Sequence, residues 1–83
     1  MRNRMGPIHP GTILRDEFLL PGALLISELA RPMGLAAVYL REIVAGRKPI
    51  TADVADRLSR CLGTTARFWI TLQASYDEQL RRR

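Results

Sequence analysis

An all-α domain of five helices, organised around a helix-turn-helix, is the fold that this chain of 83 residues predicts. Three observations predict it. Apolar residues recur three and four apart along the whole chain, with no strand-like alternation. Glycine and proline fall where the apolar runs stop, at Pro21-Gly22, Gly34, Gly46 and Gly63. Residues 26–46 read as one short amphipathic helix, a turn at Gly34, and a second helix ended by Gly46.

His9-Pro10-Gly11-Thr12 opens the first helix, because proline at the first helical position gives up an N–H that would have no partner there anyway. Ile13, Leu14 and Phe18 share one face, and Pro21-Gly22 stops the helix. The second helix starts near Leu25–Ser27 and buries Leu29, Ala30 and Met33. Pro32 removes a backbone hydrogen bond and crowds the preceding turn, so it fits only a short helix with Pro32 in its last turn. Gly34 supplies the left-handed conformation that ends it. The third helix runs from about Ala36 to Ala45 with Leu40, Ile43 and Val44 inward. Thr51 caps the fourth, whose apolar face is Val54, Ala55, Leu58 and Leu62; Asp53 suits its first turn. Thr64 or Thr65 caps the fifth, where Phe68, Trp69, Leu72, Tyr76 and Leu80 recur at helical spacing.

The domain spans residues 8–80, between a basic tail at 1–7 and another at 81–83. The formal net charge is +5, but Arg2, Arg4, Arg81, Arg82 and Arg83 supply five of the 13 basic residues and leave residues 5–80 neutral. Attraction to nucleic acid therefore depends on local clusters and on the tails. No apolar run is long enough to cross a membrane, and no apolar region follows the basic start, so neither a span nor a signal peptide is expected. The single cysteine, Cys61, has no internal disulfide partner, fits a reducing cytoplasm, and reads as a small buried apolar residue.

A helix-turn-helix places its second helix in the major groove of DNA. The positions facing the groove are then Ala37, Val38, Tyr39, Arg41 and Glu42, followed by the basic loop Arg47-Lys48. Arg41 suits a guanine or a phosphate, and Glu42 suits cytosine N4. Tyr39, Arg47 and Lys48 suit phosphates, which position a protein without reading sequence. Each also has a structural reading as a solvated charge, a polar turn or a packed ring. Trp69, Leu72 and Tyr76 form the face expected to meet a second copy, since a domain this small gains from dimerisation.

Catalysis has little to stand on. His9 is the only histidine and sits at a helix start. One His and one Cys do not make a zinc site. Asp16-Glu17 and Asp77-Glu78 are adjacent pairs whose side chains diverge round a helix. Gly6, Gly11 and Gly22 are isolated, so no phosphate-binding loop is present. No enzyme activity, metal or cofactor is expected.

Several segments together resemble one family. These are Ile8-His9-Pro10-Gly11, Leu14-Arg15-Asp16-Glu17-Phe18-Leu19, Glu28-Leu29-Ala30-Arg31, Ile50-Thr51-Ala52-Asp53, Leu62-Gly63-Thr64-Thr65, Phe68-Trp69 and Leu72-Gln73-Ala74-Ser75-Tyr76-Asp77. Over residues 8–80 the chain resembles HigA-type antitoxins, helix-turn-helix proteins of the Xre/phage-repressor class. The resemblance implies a five-helix, lambda-repressor-like DNA-binding domain and a homodimer to which the fifth helix contributes. It also implies two partners. One is a HigB-like toxin, usually a ribosome-associated mRNA endonuclease, which the antitoxin neutralises. The other is a palindromic double-stranded operator through which it represses its own operon.

The departures from the family pattern sit where DNA is read. Leu25 and Ile26 stand where a small polar and a Gln-like residue are usual, and Ala36, Ala37, Val38 and Tyr39 where Ser and Arg are usual. Pro32 departs as well. Two alternatives stay open: a protein-interaction module that keeps the fold without DNA reading, and an orphan transcriptional regulator with no toxin.

Overall fold

A computed structural model describes residues 6–82. It contains α1 (Pro10–Leu14), continued directly by a π-helical turn (Arg15–Leu19), then α2 (Ile26–Met33), α3 (Ala37–Val44), α4 (Ala52–Leu62) and α5 (Ala66–Arg81). There is no strand among the described residues. Arg2, Arg4 and Arg83 of the basic tails lie outside them.

Local chemistry sets most of the boundaries. His9 caps α1: its Nδ1 accepts from the Gly11 N–H at 2.9 Å, and Pro10 takes the first helical position. Thr51 and Thr65 cap α4 and α5 through their hydroxyl oxygens, which accept from Val54 N–H (3.2 Å) and Phe68 N–H (3.1 Å). Each cap satisfies one of the N–H groups that a helix start leaves without a partner. Gly63 ends α4 in the left-handed conformation.

The end of the first helix differs from expectation. Pro21-Gly22 does not simply halt an α-helix. The turn has already widened: Leu20 N–H donates to Arg15 O (2.9 Å) and Leu24 N–H to Leu19 O (2.8 Å), both spanning five residues. The residue in the left-handed region is Ala23, at φ 51°, and not Gly22.

The core is built from one face of every helix. Leu14 and Leu19, Leu29, Ala30 and Met33, Leu40 and Ile43, and Val54, Ala55 and Leu58 are all buried, with Ile50 from the loop and Trp69 from α5. Val44 and Leu62 are half-buried at its edge. Trp69 is central. It is 0% exposed, with Phe18 and Phe68 rings at 5.5 and 4.9 Å from its own. Its indole N–H donates to Thr64 Oγ1 at 2.7 Å, so the polar edge of a buried ring keeps a partner. Cys61 is half-buried rather than buried, because it sits at the open edge of α4 beside Arg31, Arg57 and Arg60.

Gly11 sets the distance between α1 and α3. A Cβ there would overlap the Ile43 carbonyl of α3, so only glycine allows the two backbones to touch.

Candidate nucleic-acid interface

The helix-turn-helix is α2, the Gly34 turn and α3. Leu25 cannot cap α2 through its side chain. The cap runs the other way, with Glu28 Oε1 accepting from Leu25 N–H at 2.9 Å. At the far end Pro32 falls in the last turn, and Gly34 is left-handed at φ 71°. Gly34 N–H donates to Arg31 O and Leu35 N–H to Ala30 O, at 3.0 and 3.1 Å, which closes the helix end. The Met33 carbonyl is satisfied from α4: Arg57 Nη1 donates to it at 2.6 Å, while Arg57 Nε donates to Asp53 Oδ2 at 2.9 Å. Arg57 thus binds the turn of the motif to the body of the domain. A cation at a helix C-terminus also meets the negative end of its dipole.

Along α3, Leu40 and Ile43 face the core. Ala37 is half-buried and packs against it, so of the pair Ala37 and Val38 only Val38 points outward, 62% exposed. Arg41 is exposed. Tyr39 is half-buried against the core, and Lys48 Nζ lies over its ring, 5.8 Å from the centroid. Glu42 is paired: both carboxylate oxygens accept from Arg47 Nε at 3.2 Å. Its charge is therefore offset within the loop rather than presented bare to a phosphate backbone.

The loop carrying Arg47 and Lys48 is held from two sides. The His9 ring lies beside Gly46, close enough that a Cβ added there would touch it, and its imidazole interacts with the Lys48 backbone. Gln73 of α5, itself buried, accepts from Ile50 N–H at 2.8 Å and donates to Asp77 Oδ1 at 3.0 Å. Burial holds the His9 imidazole below its ordinary pKa of 6.5, against the Lys48 backbone and the Asp77 charge, which raise it. His9 and Gln73 are the residues whose part in this site the sequence reading missed; the signal for His9 was its place at a helix start.

The proposed self-association face needs a correction. Trp69 has no accessible surface to offer a second copy. Leu72 is half-buried against the core, and Tyr76 is half-buried with its ring 4.9 Å from that of His9 in an edge-to-face contact. The large apolar side chains that α5 does expose are Phe68, Ile70 and Leu80. Of the C-terminal arginines, Arg81 and Arg82 both pair with Glu78, the latter at 3.1 Å.

Known proteins carry the same architecture. No protein-family model matches the chain. The structure of Pseudomonas aeruginosa antitoxin HigA with higBA promoter superposes with a TM-score of 0.87 at 43% identity, over 90% of this chain and 82% of that one. Antitoxin HigA-1 of Vibrio cholerae is 32% identical over 76 residues, 92% of this chain and 71% of the relative. The chain belongs to the HigA-type antitoxin family. Another relative, virulence-associated protein I of Dichelobacter nodosus, is 42% identical over 92% of this chain and 70% of its own length. HigA-type proteins are helix-turn-helix proteins of the Xre-like class, and α2–α3 is this member's copy of the motif. No helix of the described residues is long and apolar enough to cross a membrane.

Proposed function

We propose that this HigA-type antitoxin is a non-enzymatic, homodimeric repressor of its own operon that also neutralises a HigB-like mRNA endonuclease toxin, in the cytoplasm. The observation that carries the reading is the near full-length likeness to an antitoxin described with promoter DNA, combined with an α3 whose outer face is free of the core. In a dimer two α3 helices enter successive major grooves about one helical turn, roughly 34 Å, apart. Val38, Arg41 and, at the margin, Ala37 and Glu42 face the bases. Arg47, Lys48 and Tyr39 face phosphates. Phe68 and Leu80, which share one row of α5 with Leu72 and Tyr76, are the place for contact between protomers.

The test is a mobility-shift titration with the DNA upstream of the protein's own gene, repeated at several salt concentrations. The expected result is binding tighter than to random DNA by a hundredfold or more, on the order of the lower end seen for specific recognition or somewhat below it. Binding equal to random DNA would remove the repressor role. Co-purification with the product of the adjacent gene tests the toxin half, and light scattering tests the dimer.

A further inference from the structure

The outward face of α3 is short of groups that hydrogen-bond to bases. Ala36, which precedes the helix, has none, and Ala37 is half-buried against the core. The Glu42 carboxylate is occupied by Arg47, and the Tyr39 ring is half-buried beneath Lys48. Arg41 is the one long polar side chain on this face that projects into solvent without a partner among the described residues. Beside it stands Val38, in the first turn of α3 and 62% exposed. An isopropyl group there stabilises nothing in the core, which is already filled from the other side of the helix by Leu40 and Ile43.

The edges that base pairs present in the major groove are polar with one exception, the C5-methyl group of thymine. We infer that Val38 reads that methyl group, so that this protein prefers operators with a thymine opposite the first turn of α3 in each half-site, and Arg41 supplies the polar contact beside it. The inference rests on the DNA-reading role proposed above and names the chemistry by which that role selects sequence. A methyl group on cytosine C5 occupies the same place in the groove, so 5-methylcytosine satisfies Val38 where cytosine does not.

Uracil isolates the contact, because it keeps every hydrogen-bonding group of thymine and lacks only the methyl. The protein is first used to select duplexes from a random-sequence library. The selected duplex is then resynthesised with each dT replaced in turn by dU. At one position in each half-site, dU weakens binding on the order of fourfold, the worth of one buried methyl group. The V38A protein, left with only a Cβ methyl, discriminates less between the dT and dU duplexes at that position. It keeps its melting temperature, since the side chain removed is exposed. The R41A protein binds more weakly but retains the preference for dT over dU. Replacing the critical T·A pair by 5-methyl-C·G preserves more affinity than C·G does, by a wider margin for the wild type than for V38A. The inference is overturned if every dU substitution is tolerated within about twofold, or if V38A keeps the full preference for dT. A selected duplex indifferent to uracil leaves DNA reading intact and removes only the thymine contact. Enrichment of no sequence at all removes both.

Discussion

Arg57→Ala removes the hydrogen bond that joins α4 to the end of α2, and its cost follows from the geometry. Arg57 Nη1 donates to the Met33 carbonyl at 2.6 Å, at a partly buried site. A hydrogen bond from a charged donor contributes about 1.5–3 kcal/mol, and the carbonyl left behind loses a partner that solvent replaces only in part. The ion pair with Asp53 adds little, because Asp53 is 68% exposed and such pairs contribute about 0.5 kcal/mol. The expected loss is therefore about 2 kcal/mol. For a domain of this size each kcal/mol lowers the melting temperature by roughly 4–8 °C, which places the variant about 8–16 °C below the wild type. Circular dichroism at a helix wavelength reads this directly. Asp53→Asn is the companion variant; it removes the ion pair and keeps the carbonyl contact, so it should shift the transition by only a few degrees, on the order of 2–4 °C. A melting temperature for Arg57→Ala within about 3 °C of the wild type would refute the reasoning. So would an equal loss in the Asp53 variant, since the exposed pair and not the helix-end contact would then be responsible.

Three further outcomes are expected. Thr64→Val leaves the buried Trp69 indole N–H without its acceptor and should lower the unfolding free energy by about 1–3 kcal/mol in urea titration, with the slope unchanged. His9, whose pKa is lowered in the fold, gives stability that is complete above its ordinary pKa of 6.5 and is lost as the pH falls through the lower folded value. Protonation also denies Gly11 N–H its acceptor, so the urea midpoint of the wild type should fall across that acid window more steeply than that of His9→Asn, which caps without titrating there. Lys48→Ala removes one proposed phosphate contact per protomer; if the dimer makes two, the slope of log binding constant against log salt should become shallower by about 1.8. An unchanged slope would take Lys48 out of the interface.

Much of this fold was legible because its boundaries are written in neighbouring residues. His9-Pro10, Thr51 and Thr65 cap the helices they precede, and Gly34 and Gly63 end the helices they follow. Hydrophobic spacing likewise located the inner faces of α2, α3 and α4. It could not say which flank of the α5 stripe meets the domain. Trp69 and Phe68 are adjacent in that stripe, yet one is sealed in the core and the other remains partly exposed, because only the crossing of α5 over Phe18 decides between them. The contacts that hold the helix-turn-helix and its following loop were illegible for a related reason. Arg57 meets Met33 across 24 residues and Gln73 meets Ile50 across 23, and no local pattern announces either. The π-helical widening and the left-handed Ala23 arise where Pro21-Gly22 had pointed to a simple stop. On α3, residue type alone marked the outer face as apolar; the Glu42–Arg47 pair, visible only in three dimensions, shows how few free polar groups remain beside Val38.

The direct meeting of Gly11 with the Ile43 carbonyl bears on how such a protein can change its target. Main chain against main chain, with no side chain between, seats α3 on α1 independently of what the outer positions carry. Val38 and Arg41 can then be exchanged without disturbing the pose of the helix that bears them. Under the DNA-reading role proposed above, single substitutions there change operator preference on a scaffold that stays put, while a mutation at Gly11 would shift the whole outer face of α3 at once.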